Sequence, residues 1–92
     1  MSRLRILAEG RDCEARLTGI CNGNRETTVL AHFRLSGISG MGFKSPDIIA
    51  AWLCSACHVY VDTHKDCQTQ LDFAKAVFRT QAKLIEEKEV KW

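Results

Sequence analysis

The stretch Leu53–His64, LCSACHVYVDTH, carries the densest set of metal-binding residue types in the chain. Two cysteines stand two residues apart, a histidine follows the second cysteine directly, and an aspartate lies four residues after that histidine. This spacing suits one metal ion, two metal ions or a redox-active dithiol. The other cysteines and the surrounding elements decide among these three interpretations.

The chain has 92 residues, 46% of them hydrophobic and 26% charged, a composition typical of one globular domain over residues 1–92. No apolar run is long enough to span a membrane and the N-terminus lacks a signal-peptide core, so we expect a cytoplasmic protein without membrane contact. Thiols stay reduced in that compartment, and the five cysteines are an odd number. The cysteines therefore predict metal binding, and a zinc ion would add folding free energy that a small core lacks.

The net charge of +2 lies in the first half of the chain. Residues 1–50 contain seven Lys and Arg against five acidic residues, whereas residues 51–92 contain six against six. A phosphate-facing surface in the first half and an ordinary mixed surface both agree with this distribution.

The first half of the chain predicts a loop, a strand and a second loop. Turn-forming residues dominate 10–25, GRDCEARLTGICNGNR, which brackets Cys13 and Cys21 as a metal-binding loop would. The next segment, TTVLAHFR, is β-branched and apolar and predicts a short strand that ends near His32. Residues 35–44, LSGISGMGFK, contain three glycines and predict a loop or a loosely formed second strand.

The second half predicts helices. Ser45 as N-cap, Pro46 at the first helical position and Asp47 in the first turn indicate a short helix that runs toward Leu53. A further turn or helix is expected over residues 55–62. The C-terminal segment is the clearest helix, because apolar residues recur at three- and four-residue spacing and predict a core-packing face. The members of this face are Leu71, Ala74, Phe78, Ala82 and Ile85. The fold class is therefore a small α+β domain organised around metal, with a long C-terminal helix.

The cysteines form two pairs that complement each other. Zinc prefers four soft ligands in a tetrahedron, and the C-x2-C pair can supply two of them. The C-x7-C pair is spaced more widely, but glycines at 19 and 23 allow its loop to close. A redox dithiol and buried, unligated cysteines are the alternatives, and Cys67 is expected to take no part. We predict a structural zinc site built from Cys13, Cys21, Cys54 and Cys57.

His58 and Asp62 are four residues apart, which places them on one face of a helix. Because His58 follows Cys57 directly, its side chain leaves the turn on a different side from the two sulfurs. The pair can bind a second, divalent cation, or it can form an ordinary hydrogen bond within the helix.

A strand that ends in histidine, a loop and a C-x2-C-H turn resemble the HNH or His-Me finger nucleases, which have the ββα-metal fold. More specifically, RDCEARLTGICNGNRETTVLAHFRL, PDIIAAW and CSACHVYVD are similar to the small, prophage-encoded YbcO-like nuclease family. The resemblance covers approximately residues 8–82. The combination LAHFRLSG…CSACH is its most specific part.

The resemblance implies a role for each matching residue. His32 would be the general base that activates water, and His58 would be a ligand of a catalytic Mg²⁺ or Mn²⁺ ion. The four cysteines would hold the structural zinc, whereas Arg34 and Lys44 would bind phosphates.

The sequence departs from the HNH pattern at two positions. Many HNH enzymes have an aspartate directly before the first histidine as a metal ligand, where this chain has Ala31. Asp62 is a candidate to replace that ligand from the helix. The middle asparagine of the HNH signature also has no clear counterpart, and Asp47 is the nearest polar residue in that region.

The resemblance, together with the histidines and cysteines at the matching positions, implies a metal-dependent endonuclease that hydrolyses phosphodiester bonds in DNA. A zinc deaminase is excluded, because it needs H-x-E and P-C-x-x-C whereas this chain has His32-Phe33-Arg34 and Leu53 before the cysteine pair. A non-catalytic zinc module that binds DNA or a recombination protein, and an adaptor without nucleic-acid contact, remain as alternatives. A chain this small would gain DNA contact area as a homodimer or with a partner. The sequence leaves the role of His64 open.

Overall fold

We describe the protein from a computed structural model, which covers residues 3–34 and 46–90. Helix α1 (Arg3–Leu7) and a single 3₁₀ turn (Arg25–Thr27) precede the two-stranded sheet. The remaining elements are strand β1 (Val29–His32), strand β2 (Ala50–Leu53), helix α2 (Ser55–Thr63) and helix α3 (Cys67–Glu86). The predicted α+β class with a long C-terminal helix is therefore confirmed.

Strands β1 and β2 pair antiparallel, with Val29 opposite Leu53 and His32 opposite Ala50. All four residues of β2 are buried, because α3 packs along this strand. β1 was predicted, and its end at His32 is confirmed.

The helix predicted from Ser45–Pro46–Asp47 toward Leu53 is wrong. Residues 46–49 form one turn, closed by the Ile49 amide donating to the Pro46 carbonyl at 2.9 Å, and the chain then enters β2. The Phe33 amide donates to the Ile49 carbonyl at 3.0 Å, so the interstrand hydrogen bonds begin where the helix would have continued. Pairing and burial thus outweigh the local N-cap pattern. Ser45, Lys44 and the predicted loop or strand over 35–44 lie outside the described residues.

Helix α2 occupies the segment where a turn or helix over residues 55–62 was predicted, and the two cysteines of the C-x2-C pair lie at its N-cap and in its first turn. The Cys54 thiol occupies the N-cap position and accepts a hydrogen bond from the Cys57 amide at 3.4 Å. Helix α2 therefore carries a cysteine pair at its N-terminal end, whereas Asp62 lies at its C-terminal end.

Helix α3 is present, but its predicted core face is wrong. Leu71 and Phe78 are 48% and 67% exposed. Two threonines occupy the real core face, and Thr80 is tolerated there because its hydroxyl donates to the Ala76 carbonyl at 2.9 Å and accepts from the Trp52 amide at 3.0 Å. The buried residues of the helix are Thr69, Phe73, Ala76, Val77, Thr80 and Leu84.

Glu14 fastens the N-terminal loop to the rest of the domain. The residue is only 2% exposed. Its amide donates to the Trp52 carbonyl at 2.8 Å, its carbonyl accepts from Arg79 at 2.9 Å, and its carboxylate pairs with Lys83. These contacts hold the adjacent Cys13 beside β2 and the start of α2.

Within the described ranges no helix has the length and hydropathy that crossing a membrane requires.

Candidate functional site

Four cysteines from separate parts of the chain meet at the N-terminal end of α2. Their sulfur atoms all lie within 4.8 Å of one another. Cys13 and Cys21 come from the N-terminal loop, whereas Cys54 and Cys57 come from the N-cap and first turn of the helix. All five cysteines are free thiols, and Cys67 is exposed at the start of α3, outside this cluster.

The cluster has the dimensions of a tetrahedral thiolate site. The Sγ atoms of Cys21 and Cys54 are 3.8 Å apart, far longer than a disulfide bond of about 2.05 Å. With a Zn–S bond of about 2.3 Å, the edge of a regular tetrahedron is about 3.8 Å. The loop closes with Gly19 and Gly23 at φ +74° and +67°, conformations that favour glycine. The four thiols therefore fit a structural metal ion.

The cysteines differ in how readily they lose a proton. Burial raises the pKa of the Cys54 thiol, but hydrogen bonds from the Cys57 and Asn22 amides and from neighbouring thiols outweigh it and bring the pKa to about 7. Burial also raises the pKa of Cys21 and of Cys57, and there it dominates. A cation must therefore supply the charge that stabilises the thiolates of the latter two, and its binding releases protons.

His32, the predicted general base, is paired with a carboxylate. Its Nε2 atom lies 2.6 Å from Oδ1 of Asp47, which stands in the turn before β2, and the two side chains are 17% and 23% exposed. Arg5 Nε lies 3.6 Å from the same carboxylate oxygen. A carboxylate only accepts hydrogen bonds, so Nε2 carries the hydrogen and Nδ1 keeps its lone pair when the imidazole is neutral.

His32 lines a surface cavity of about 220 Å³ between the end of β1, the C-terminal end of α2 and the first turns of α3. Phe33 and Phe73 pack edge to face inside its wall, with ring centroids 4.9 Å apart. The cavity is also lined by Arg34, which was predicted to bind phosphate, and by Asp62, which was predicted to bind metal. The lining residues are His32, Phe33, Arg34, Val61, Asp62, His64, Lys65, Thr69, Gln70 and Phe73.

The predicted second metal site consists of two side chains. His58 Nε2 lies 3.4 Å from Asp62 Oδ2, and the two are 38% and 60% exposed. Over residues 3–34 and 46–90, the cysteine cluster is the one group of three or more potential ligands within reach of a single ion. Ala31 is buried in the core opposite Ala51. A cation bound by His58 and Asp62 would therefore take its other ligands from water or substrate.

Two basic residues of the cavity, His64 and Lys65, were given no role by the sequence analysis, and the partner of His32 was noted only by position. His64 caps α2, with its ring stacked on Tyr60 at a centroid distance of 3.8 Å and its Nδ1 atom 3.0 Å from the Tyr60 carbonyl. Lys65 follows in the chain, so both turn toward the cavity after the helix ends. The DTHK segment contained the signal, namely polar residues at a helix terminus. The contact between His32 and Asp47 joins the last residue of β1 to the turn before β2, fifteen residues later, so no local sequence pattern indicates it.

Known proteins resemble this chain over most of its length. The family model described as "Putative nuclease YbcO" matches residues 2–89. "Putative nuclease YbcO" of Escherichia coli (strain K12) and "Putative nuclease ybcO" of Enterobacteria phage 82 are each 56% identical over 62 residues, which cover 67% of this chain and 65% of the relative. The match thus spans slightly less than two thirds of these relatives' length.

A solved structure shares the fold. It is described as "Structure of a putative bacteriophage protein from Escherichia coli str. K-12 substr. MG1655" and is 37% identical, with a TM-score of 0.75. The similarity covers 94% of this chain and 100% of that chain.

Proposed function

The chain belongs to the YbcO family, and from that premise we propose that it is a metal-dependent endonuclease that hydrolyses phosphodiester bonds in DNA. The names of its relatives support a nuclease in general. We further assign the chain to the His-Me finger nucleases, with β1, β2 and α2 as the ββα unit. The proposals of metal dependence, of a DNA substrate and of His-Me finger chemistry rest on the side chains around the cavity that His32 lines.

One observation carries the proposal: an imidazole whose Nδ1 has no hydrogen-bond partner among residues 3–34 and 46–90 lies on the wall of an open, partly cationic cavity. Asp47 accepts the hydrogen bond from Nε2 of His32 at 2.6 Å and thereby orients the ring. A carboxylate in this position stabilises the positive charge that forms when the ring accepts a proton. His32 is therefore suited to act as a general base.

The hydrolytic step follows from this arrangement. Nδ1 of His32 takes a proton from a water molecule as the water oxygen forms a bond to phosphorus. The bond between phosphorus and the leaving sugar oxygen breaks, and that oxygen takes a proton from solvent. Asp47 holds the imidazolium in place until it returns its proton to water.

Cationic side chains beside His32 suit a phosphodiester substrate. Arg34 and Lys65 both line the cavity, so they can neutralise the charge of a bound phosphate. Lys44, the other predicted phosphate ligand, lies outside the described residues.

His58 and Asp62 are the residues that would hold Mg²⁺ or Mn²⁺. Such an ion supplies a positive charge at the oxygen on which negative charge develops. These cations keep several exchangeable positions when few protein ligands bind them. Asp62 is the member of the pair that lines the His32 cavity.

The four cysteines would hold zinc as a structural ion. Because Cys54 and Cys57 lie at the N-cap and in the first turn of α2 and Asp62 lies in its last turn, a rigid first turn fixes the direction in which Asp62 projects. Positioning of this kind matters, since displacements of about 1 Å can cost about 100-fold in rate.

A non-catalytic zinc module that binds DNA or a recombination protein is the second candidate. The observation that favours it is the short ligand list of the second site, His58 and Asp62 alone among the residues that the structure describes. It predicts the same fold and the same zinc content, but a His32 without a role.

Nicking of supercoiled plasmid in the presence of Mg²⁺ or Mn²⁺ separates the two candidates. We expect the wild-type protein to nick and His32→Ala to be slower by about 100- to 10,000-fold. Zinc content and circular dichroism must be equal in the two proteins. Equal nicking by both would contradict the role of His32. DNA binding without nicking by either would favour the binding module.

A further inference from the structure

Helix α3 has a second apolar face that is turned to solvent. Phe78 is 67% exposed and Leu71 is 48% exposed. Ala82 is also exposed, whereas Ala74 and Ile85 are half-buried. We call Leu71, Ala74, Phe78, Ala82 and Ile85 the Phe78 stripe.

The Phe78 stripe is separate from the core face of the same helix. At 100° per residue, its centre lies about 150° around the helix axis from the centre of the buried set. Charged and polar residues occupy the arc beside it, among them Asp72, Lys75, Arg79 and Glu86. An exposed apolar stripe with a polar border is typical of a contact surface.

The order of residues in the stripe is symmetric about Phe78. Leu71 and Ile85 stand seven positions before and after it, and Ala74 and Ala82 stand four positions before and after it. The sequence of sizes is therefore large, small, large, small, large in either direction. A surface of this kind is complementary to a copy of itself that runs antiparallel.

An isologous twofold contact requires this symmetry, because each residue must meet its mirror position on the partner. With the axis at Phe78, the two Phe78 rings meet, Leu71 meets Ile85, and Ala74 meets Ala82. The alanines let the helix axes approach closely, and the seven-residue spacing keeps the large residues on one seam.

We propose that the protein forms a homodimer through antiparallel pairing of α3 across the Phe78 stripe. The seam from Leu71 to Ile85 is about 21 Å long at 1.5 Å per residue. One helix face of this length buries less surface than the about 800 Å² per partner of a standard interface. The dimer is therefore expected to be weak and concentration-dependent. The dimer is independent of the nuclease activity proposed above.

Sedimentation of the full-length protein over a range of concentrations tests this proposal. We expect the wild type to shift from monomer to dimer and Phe78→Lys to weaken association by at least about 30-fold, as for a central hot spot. Val59→Lys is the matched control, because Val59 is 63% exposed on α2, outside the stripe, and should associate like the wild type. A wild type that stays monomeric would overturn the proposal, and so would a dimer that Phe78→Lys leaves intact.

Disulfide trapping tests the antiparallel register in a Cys67→Ser background with metal bound. Phe78→Cys should cross-link to itself. Leu71→Cys and Ile85→Cys should cross-link when mixed and not when each is alone. Self-linking of Leu71→Cys would indicate a parallel pair and would overturn the proposed register.

Discussion

The two ends of helix α2 contain candidate metal ligands in opposite settings. At the N-terminal end, four thiols lie within 4.8 Å of one another, three of them buried, so the protein supplies every ligand. At the C-terminal end, Asp62 is 60% exposed, contacts His58 at 3.4 Å and faces an open cavity. Structural metal sites are closed, whereas catalytic sites keep positions open for water and substrate. One short helix thus joins a site suited to holding an ion permanently to one suited to exchanging it.

The largest effect is expected from removing one cysteine of the closed end. Cys57 is completely buried, and a hydroxyl in its place is a poor zinc ligand. Structural zinc contributes about 10–16 kcal/mol in small zinc-finger peptides, comparable to the whole stability of a small domain. We expect Cys57→Ser to lose both metal and fold, as measured by zinc content and circular dichroism. Exposed Cys67→Ser is the control and should keep both; a folded, zinc-free Cys57→Ser would contradict a structural metal.

The next effect concerns the partner of His32. Asp47→Asn removes the negative charge that orients the His32 imidazole, while the side chain at position 47 keeps its size. We expect nicking to fall by about 10- to 100-fold, as for other carboxylates that support functional histidines. The ¹⁵N chemical shifts of the His32 ring should show loss of the Nε2–H tautomer, which a purely structural defect would not produce.

Asp72→Asn is the matched control for that prediction. Asp72 accepts a hydrogen bond from Gln68 within α3 at 3.0 Å and does not line the cavity. Its activity should equal that of the wild type. Full activity of Asp47→Asn with an unchanged tautomer would show that the pair does not serve the reaction.

A substitution at the C-terminal end of α2 should change the Mg²⁺ concentration that nicking requires. Asp62→Asn removes the charged ligand that the His58 pair offers, so the Mg²⁺ concentration for half-maximal nicking should rise about tenfold or more. Zinc content and thermal stability should stay at wild-type values, since Asp62 is largely exposed. A lower rate with an unchanged Mg²⁺ requirement would remove Asp62 from the metal site.

The smallest effect is expected from an exposed ion pair outside both ends of α2, between Arg11 and Glu87. Arg11 donates two hydrogen bonds to the Glu87 carboxylate, at 2.5 and 2.7 Å, and thereby lowers the pKa of Glu87. A carboxyl with a lowered folded-state pKa stabilises the protein above its unfolded-state pKa, and this stabilisation is lost as the pH falls through the folded-state pKa. Because the pair is solvent-exposed, Glu87→Gln should lower the free energy of unfolding by at most about 1 kcal/mol at neutral pH. Urea titrations at neutral and acidic pH should show the difference disappear in acid; a constant difference would contradict the ion pair.

Local features of the fold could be predicted from the sequence, and contacts between distant segments could not. The β1 strand and α2 follow from short patterns of β-branched residues and cysteine spacing. Strand β2 was missed because Pro46 and Asp47 resemble a helix start, while the competing hydrogen bond to Ile49 comes from Phe33, the residue that follows β1.

The face of α3 shows why a periodic pattern can mislead. Leu71 and Phe78 recur at helical spacing and suggested a core, but Thr69 and Thr80 are buried instead because their hydroxyl groups find partners. Hydropathy predicts that the helix has an apolar face without saying which of two faces meets the sheet.

The candidate site divides in the same way. The cysteine set was predicted from two spacings, and the structure brings all four sulfurs together. The His32–Asp47 pair depends on the turn before β2, and His64 and Lys65 reach the cavity because α2 ends where it does. The positions of these four side chains depend on contacts between distant segments, so they could not be predicted from the sequence.

The measurement that tests the contrast between the two ends most directly is metal content and nicking on one sample. Purified protein would be treated briefly with EDTA and exchanged into metal-free buffer. Zinc would then be quantified, and plasmid nicking measured before and after addition of Mg²⁺ or Mn²⁺. We predict one zinc ion retained per chain, no nicking without added metal, and nicking restored by the added ion alone. Nicking that survives without added metal, or that returns only with zinc, would contradict separate structural and catalytic sites.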